Sequence, residues 1–263
     1  MNIMILIALS TGLLMAGFAL AYLIARYANN YGIVDIVWSF AFTGVAWIYA
    51  VAASGWMERK LVIAGLASAW SLRLGSHLYR RVMGHHPEED SRYRQLRQDW
   101  QKNFAVKMFG FFQLQALSVV VLSAPFLLAS RHAAPGLNGW EYLGAIVCIL
   151  ALLGEATADR QLANFRRDPA HRNQVCTVGL WRYSRHPNYF FEWCIWVGFF
   201  LFACGSPWGW LSIVAPVAML HLLLNVTGVP MAEESSLKSK GEAFRAYQKT
   251  TNRFFPGPPR HMS

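Results

Sequence analysis

The sequence predicts an all-α, polytopic membrane protein with seven transmembrane helices, its N-terminus outside and its C-terminus cytoplasmic. Three observations carry this. First, 55% of the 263 residues are hydrophobic and 14% are charged, against about 25% charged in a soluble domain. Second, seven apolar runs approach the ~20 residues needed to cross a hydrocarbon core: 3–24, 33–53, 61–79, 104–129, 142–161, 189–204 and 208–229. Third, the basic residues sort to one side. With Arg160 counted at the end of the fifth run, 19 of the 24 Lys and Arg lie in alternate loops and the tail, and only Arg59, Lys60 and Arg131 lie in the others. Under the positive-inside rule the richer side is cytoplasmic.

The first run is too long for a signal-peptide core and lacks a basic flank, so it reads as a span and not as a leader. The third and fifth runs contain charge. The sixth and seventh meet at Gly205-Ser206-Pro207-Trp208-Gly209, an uncharged tight turn. Cys148, Cys176, Cys194 and Cys204 show no CxxC spacing and three of them sit in apolar runs, so they read as small apolar fillers and not as a metal site. The net charge of +10 belongs to membrane loops, which suits anionic lipid or a phosphorylated ligand. No nucleic-acid module, GxGxxG, Walker motif or HExxH appears in a fitting context, and no metal is expected.

Ionisable residues inside spans are functional candidates, because hydrocarbon solvates them poorly. In the second run Asp35 and Trp38 share a face at i, i+3. In the third, Arg73, His77 and Arg80 form one polar stripe, with Tyr79 on another face. An ion pair between Arg73 and Asp35 that staples two helices is the plain structural alternative. Glu155 and Asp159 are i, i+4 at the end of the fifth run, and Arg166 follows on the same stripe if the helix continues.

The densest stretch is Gly179-Leu180-Trp181-Arg182-Tyr183-Ser184-Arg185-His186-Pro187-Asn188-Tyr189-Phe190-Phe191-Glu192. Pro187 suits the first turn of a helix, which puts Arg185, Asn188 and Glu192 on one face. Free N–H groups beside Arg185 and His186 would favour an anion. Trp181, Tyr183 and Tyr189 offer rings for stacking. In the tail, Asn225 precedes Gly228-Val229-Pro230, and Glu233 and Glu234 follow. This basic segment could close over the same ligand or lie on the membrane surface.

At Arg185-His186-Pro187-Asn188-Tyr189 the chain resembles the steroid 5α-reductase C-terminal domain superfamily. It looks most like the bacterial branch once described only as a domain of unknown function. Trp70-Ser71-Leu72-Arg73-Leu74 and Glu89-Asp90-Ser91-Arg92-Tyr93 also look like that branch, so the resemblance covers most of the chain.

The resemblance implies NADPH-dependent reduction of a C=C bond conjugated to a carbonyl, as in a 3-oxo-Δ4-steroid. It implies a substrate cavity in helices one to four (1–130) and a cofactor site in helices five to seven with their cytoplasmic loops (140–263). Asp159 and Arg166 look like the family's cofactor-binding pair on helix five, and Tyr183, Asn188 and Glu192 match its Tyr, Asn and Glu. Arg166, Arg172 and Arg185 would hold phosphates, since a guanidinium grips two phosphate oxygens. Asn188 and Glu192 would orient the nicotinamide. Glu155, His186, Tyr189, Asn225 and Glu233 complete the expected cofactor set. Asp35 stands roughly where the animal enzymes have a catalytic Glu, and His77 or Tyr79 near their Tyr. Trp38 and Arg73 are expected beside the substrate. The membrane would be the bacterial inner membrane or the endoplasmic reticulum, with the cofactor mouth facing the cytoplasm. The Arg-His-Pro segment and the Glu-Glu pair also resemble isoprenylcysteine carboxyl and phospholipid methyltransferases, which bind S-adenosylmethionine.

Overall fold

In the computed structural model, which describes residues 1–84 and 86–260, every regular element among the described residues is helical. Ten α-helices follow in order: α1 Ile3–Tyr27, α2 Ile33–Ala52, α3 Met57–Gly84, α4 Ser91–Asp99, α5 Phe104–Leu122, α6 Ala124–Ser130, α7 Gly139–Arg167, α8 Pro187–Cys204, α9 Val214–His221 and α10 Val229–Thr250.

Among the described residues five helical runs are long and apolar enough to cross a bilayer: Ile3–Tyr27, Ile33–Ala52, Phe104–Ser130, Gly139–Arg167 and Gly209–Thr250. Two of the seven expected spans fall outside this set, for different reasons. α3 carries Glu58, Arg59, Lys60, Arg73, Arg80 and Arg81 along its 28 residues. α8 has only 18 residues, and its first two turns hold Asn188 and Glu192.

The expected fourth run is two helices. α5 ends at Leu122, its cap Ser123 still donating its N–H to Val119 O at 2.9 Å, and Pro125 lies in the first turn of α6. A proline is tolerated there because the first helical N–H groups have no acceptor anyway. The last apolar run is also composite. It opens with a 3₁₀ turn, Gly209–Ile213, continues as α9, and closes with a π-turn, Leu222–Val226. α10 then continues as a charged helix with a kink at Gly241, which sits at φ +50°.

The chain forms two compact units. The first is Met1–Gly139 with Phe202–Ser212; the second is Trp140–Leu201 with Ile213–Ser263. In the first, α2 packs along α3 and α1 along α5, around Phe18, Phe42, Trp70, Phe112 and Phe126, all at most 1% exposed. Arg59, on the third helix, is also buried. Its guanidinium donates to the carbonyls of His132, Ala134 and Gly136 at 2.6–2.8 Å, pinning the loop after α6. The buried charge is thereby satisfied by three loop carbonyls, one of which, His132 O, also accepts the Trp56 N–H at 3.0 Å.

In the second unit, α8 lies close on α7. A Cβ at Gly198 would stand 2.5 Å from Cys148 Sγ, and one at Gly154 would stand 2.5 Å from the Phe191 ring. All four cysteines are free thiols.

Candidate functional site

Two polar clusters stand out, one in each unit. The first centres on Asp35, in the first turn of α2. Oδ1 accepts from the Tyr93 hydroxyl at 2.7 Å. Oδ2 accepts from Arg92 at 2.7 Å and from Arg81 at 3.4 Å. The expected alternative, a staple between Asp35 and Arg73, gives way to pairing with Arg92 and Arg81. The expected neighbours His77 and Tyr79 are exposed, Tyr79 to 54%. The phenol on Asp35 is instead Tyr93, only 2% exposed.

Tyr93 comes from α4, a nine-residue helix in a loop where the sequence predicts no element. Its start is explicable: Asp90 caps it, accepting from the Arg92 N–H at 3.0 Å, the usual way a carboxylate satisfies a free helical donor. Further contacts pin this loop to the α1–α2 turn. Glu89 accepts the Tyr31 N–H at 2.9 Å. Arg97 pairs with Glu89 and Asn29 and lies over the rings of Tyr31 and Phe104, at 5.2 and 5.0 Å.

The charges in this cluster reinforce each other. Burial works against the Arg92 cation, but Asp35 and Asp90 outweigh it and hold the guanidinium more firmly protonated than usual. Burial would raise the Asp90 carboxyl, yet the Arg92 hydrogen bonds pull it below its ordinary value. Burial and then the Asp35 charge push the Tyr93 phenol well above its ordinary value. A cavity of about 290 Å³ adjoins the cluster, lined by Arg81, Val82, Glu88, Glu89, Asp90, Ser91 and Arg94. Trp38, expected beside Asp35, donates to Ser118 Oγ at 2.9 Å and sets its edge on Phe42. Arg73 is half-buried on α3.

The second cluster joins the start of α8 to α10. Arg185 donates through Nε to Glu233 at 2.7 Å, and through Nη1 to the carbonyls of Gln248 and Thr251 at 3.0 and 2.8 Å. Its own N–H donates to Asn252 O at 2.9 Å. Glu233 also meets His186 Nε2 at 3.2 Å and accepts from Gln248 Nε2 at 2.9 Å. Ser184 donates to Phe254 O at 2.8 Å, and the Tyr247 hydroxyl donates to Trp181 O.

The phosphate role expected for Arg185 therefore changes. Its side chain is 9% exposed and spends three hydrogen bonds on the tail, so it acts as a clamp within the protein. Burial alone would raise the Glu233 carboxyl, but the hydrogen bonds from His186 and Arg185, with the Arg185 charge, hold it down at about 2. Burial pushes His186 below its ordinary value, and Glu233 only partly offsets that.

α7 does continue past Asp159 to Arg167, so Glu155, Asp159 and Arg166 share one helix. Glu155 is buried, and Asp159 accepts from Asn188 Nδ2 at 3.2 Å. Glu192 is buried and accepts from Trp196 Nε1 at 3.0 Å. Asn188 Oδ1 is buried and has no hydrogen-bond partner among the described residues. Tyr189 stacks on His186 with centroids 5.6 Å apart. Arg166, Arg172 and Tyr183 are exposed. Asn225 lies on the π-turn, 3.3 Å from His221 Nδ1.

The Gly-Leu-Trp segment pins its loop onto α7. The Leu180 N–H donates to Gln161 Oε1 and Trp181 Nε1 to Ala158 O, both at 2.9 Å. Gly179 adopts φ +56°, and a Cβ there would stand 2.4 Å from the Gln161 amide. Gly179→Ala is expected to cost about 1–2 kcal/mol, from the left-handed backbone alone, and to lower the melting temperature in detergent. A melt unchanged from wild type would contradict this.

Among the described residues no group of His, Cys, Asp and Glu is placed to hold a metal ion. A family model described as a protein of unknown function, DUF1295, matches residues 21–251. An uncharacterized protein of Schizosaccharomyces pombe is 28% identical over 225 residues, covering 75% of this chain. The chain spans 63% of that relative's length. No solved structure matches.

Proposed function

This chain belongs to the DUF1295 family, and on that premise we propose that it is a membrane-bound, NADPH-dependent reductase of the C=C bond of an apolar enone, of steroid 5α-reductase type. A 3-oxo-Δ4-steroid is the model substrate. The proposal includes seven spans, with α3 and α8 crossing despite their charge, and a C-terminus in the cytoplasm, where NADPH is found. That fits a bacterial inner membrane or an endoplasmic reticulum.

The observation that carries the reading is the buried phenol of Tyr93 on Asp35, among apolar helices. NADPH, when bound, supplies a hydride to the β-carbon of the enone. Negative charge then develops on the carbonyl oxygen. Tyr93 takes over here the donor role first expected of His77 or Tyr79. Its one hydroxyl proton, which rests on Asp35 before substrate binds, turns to that oxygen and then protonates the enolate, while Arg92 holds Asp35 in place beside the phenol. A phenol is too weak an acid to protonate an isolated alkene, so this donor favours a C=C bond conjugated to a carbonyl. The apolar surroundings strengthen the hydrogen bond and keep water away.

The second cluster suits a dinucleotide. Asn188 Oδ1 is a buried acceptor without a partner among the described residues, which fits the amide N–H of a nicotinamide. Glu155, Asp159 and Glu192 complete that polar row. Arg166 and Arg172 are exposed cations free to meet phosphates, and Tyr183 is an exposed ring suited to stacking on a base. Arg185, His186 and Glu233 hold the tail that closes the site, with Tyr189 stacked beneath and Asn225 at its edge.

A ligand comparison tests the reading. Protein purified in detergent is melted with saturating NADPH or S-adenosylmethionine, since a ligand at 100 times its Kd stabilises by about 2.7 kcal/mol. NADPH is expected to raise the melting temperature, and to be consumed with progesterone to yield a saturated ketone. Stabilisation by S-adenosylmethionine with none by NADPH would hand the chain to the methyltransferases.

A further inference from the structure

We propose that the cavity bordered by Asp90 is the proton entry for the Asp35–Tyr93 pair, with Asp90 as the carboxylate that passes the proton inward. The inference rests on the reductase reading and adds to it the route by which the acid is refilled.

Reduction of an enone consumes one proton per hydride. Tyr93 is 2% exposed and the Asp35 side chain 14%, so a spent phenolate has little direct access to water. The Asp90 side chain is 26% exposed and lines a cavity of about 290 Å³ together with Ser91, Glu88 and Arg81. The two carboxylates are held together. Arg92 Nη2 lies 2.7 Å from Asp35 Oδ2 and 3.0 Å from Asp90 Oδ2. Arg81 Nη2 bridges the same two oxygens, at 3.4 and 3.8 Å. The facing oxygens thus converge on shared nitrogens, which places both carboxylates in one cluster with a water as the carrier between them.

The guanidiniums keep their protons and act as the frame. Each turn begins as Tyr93 gives its proton to the substrate and becomes phenolate. Asp90 takes a proton from hydronium or a buffer acid in the cavity, then releases it to Asp35 and returns to carboxylate. Asp35 hands it to the phenolate. One proton enters, one leaves on product, and no electrons move along this path. Asp90 touches neither substrate nor cofactor and is a positioning residue, acting through Asp35.

The test uses full-length protein in detergent with NADPH and progesterone. Asp90→Asn keeps a side-chain oxygen that can cap α4 but cannot carry the proton. The expected result is a kcat about 10²-fold lower or more, within the usual range for lost proton transfer. The KM for NADPH should be unchanged, the solvent deuterium isotope effect should rise, and added formate should restore the rate. Should Asp90→Asn not accumulate, Asp90→Ser also caps the helix and is read the same way. A wild-type kcat and isotope effect in the variant, or a slow variant that formate leaves slow, overturns the proton route. Wild-type protein that reduces no enone overturns the reductase reading instead.

Discussion

Tyr93→Phe is expected to lower kcat for enone reduction by about 10²–10³, the usual loss when a hydrogen bond to developing oxyanion charge is removed. The substitution deletes one hydroxyl, so the ring contacts with Phe111 at 6.3 Å persist. NADPH should stabilise the variant as it does wild type. Asp35→Asn should fall in the same range, because the amide removes the charge that orients the phenol and pairs with Arg92. Single-turnover rates of NADPH oxidation with progesterone would check both. A Tyr93→Phe protein with wild-type rates would remove Tyr93 as the donor and return the role to His77 or Tyr79.

Arg185→Ala is expected to lose about 3–5 kcal/mol of stability even without ligand, the usual penalty for breaking a buried ion pair from one side. The variant takes the cationic partner from Glu233, leaving it His186 and Gln248, and frees the carbonyls of Gln248 and Thr251. Melting in detergent and limited proteolysis within α10 would read the loss. Unchanged stability with weakened NADPH binding would restore the phosphate role.

Acid should attack the same joint in wild type, and the sign is clear for both groups. Glu233 is held at about 2 against an ordinary 4.5, so its contribution is complete above 4.5 and disappears as pH falls toward 2. His186 is held below its ordinary 6.5, so the unfolded chain takes up that proton first, and stability falls as pH drops below 6.5. Stability should therefore decline continuously on acidification from neutral pH, and Glu233→Gln should flatten the steeper lower part.

The helical class was legible because apolar run length is a local property. Runs beginning near residues 3, 33, 104 and 142 became helices at nearly the expected places. Pro187 begins α8, as its fixed φ and missing N–H require. What escaped was tertiary. The Asp90 cap before Ser91 is a local signal that could have announced α4, but its nine residues carry no apolar stripe. Nothing local says that Tyr93 reaches Asp35 across 58 positions of chain. Arg185 was legible as important but not in its role. A guanidinium beside a helix start looks the same in sequence whether a phosphate or Glu233 faces it.

The clamp on residues 184–186 is built from Glu233, Gln248, Thr251, Asn252 and Phe254, all of which are synthesised after the last apolar run. Membrane insertion and completion of the candidate cofactor site are thus separate events in the life of a nascent chain. A ribosome that stops near Gly228 would leave a protein with all its apolar runs made but without the residues that hold Arg185. Such a product would resemble the mature protein in membrane fractionation and differ from it in protease resistance.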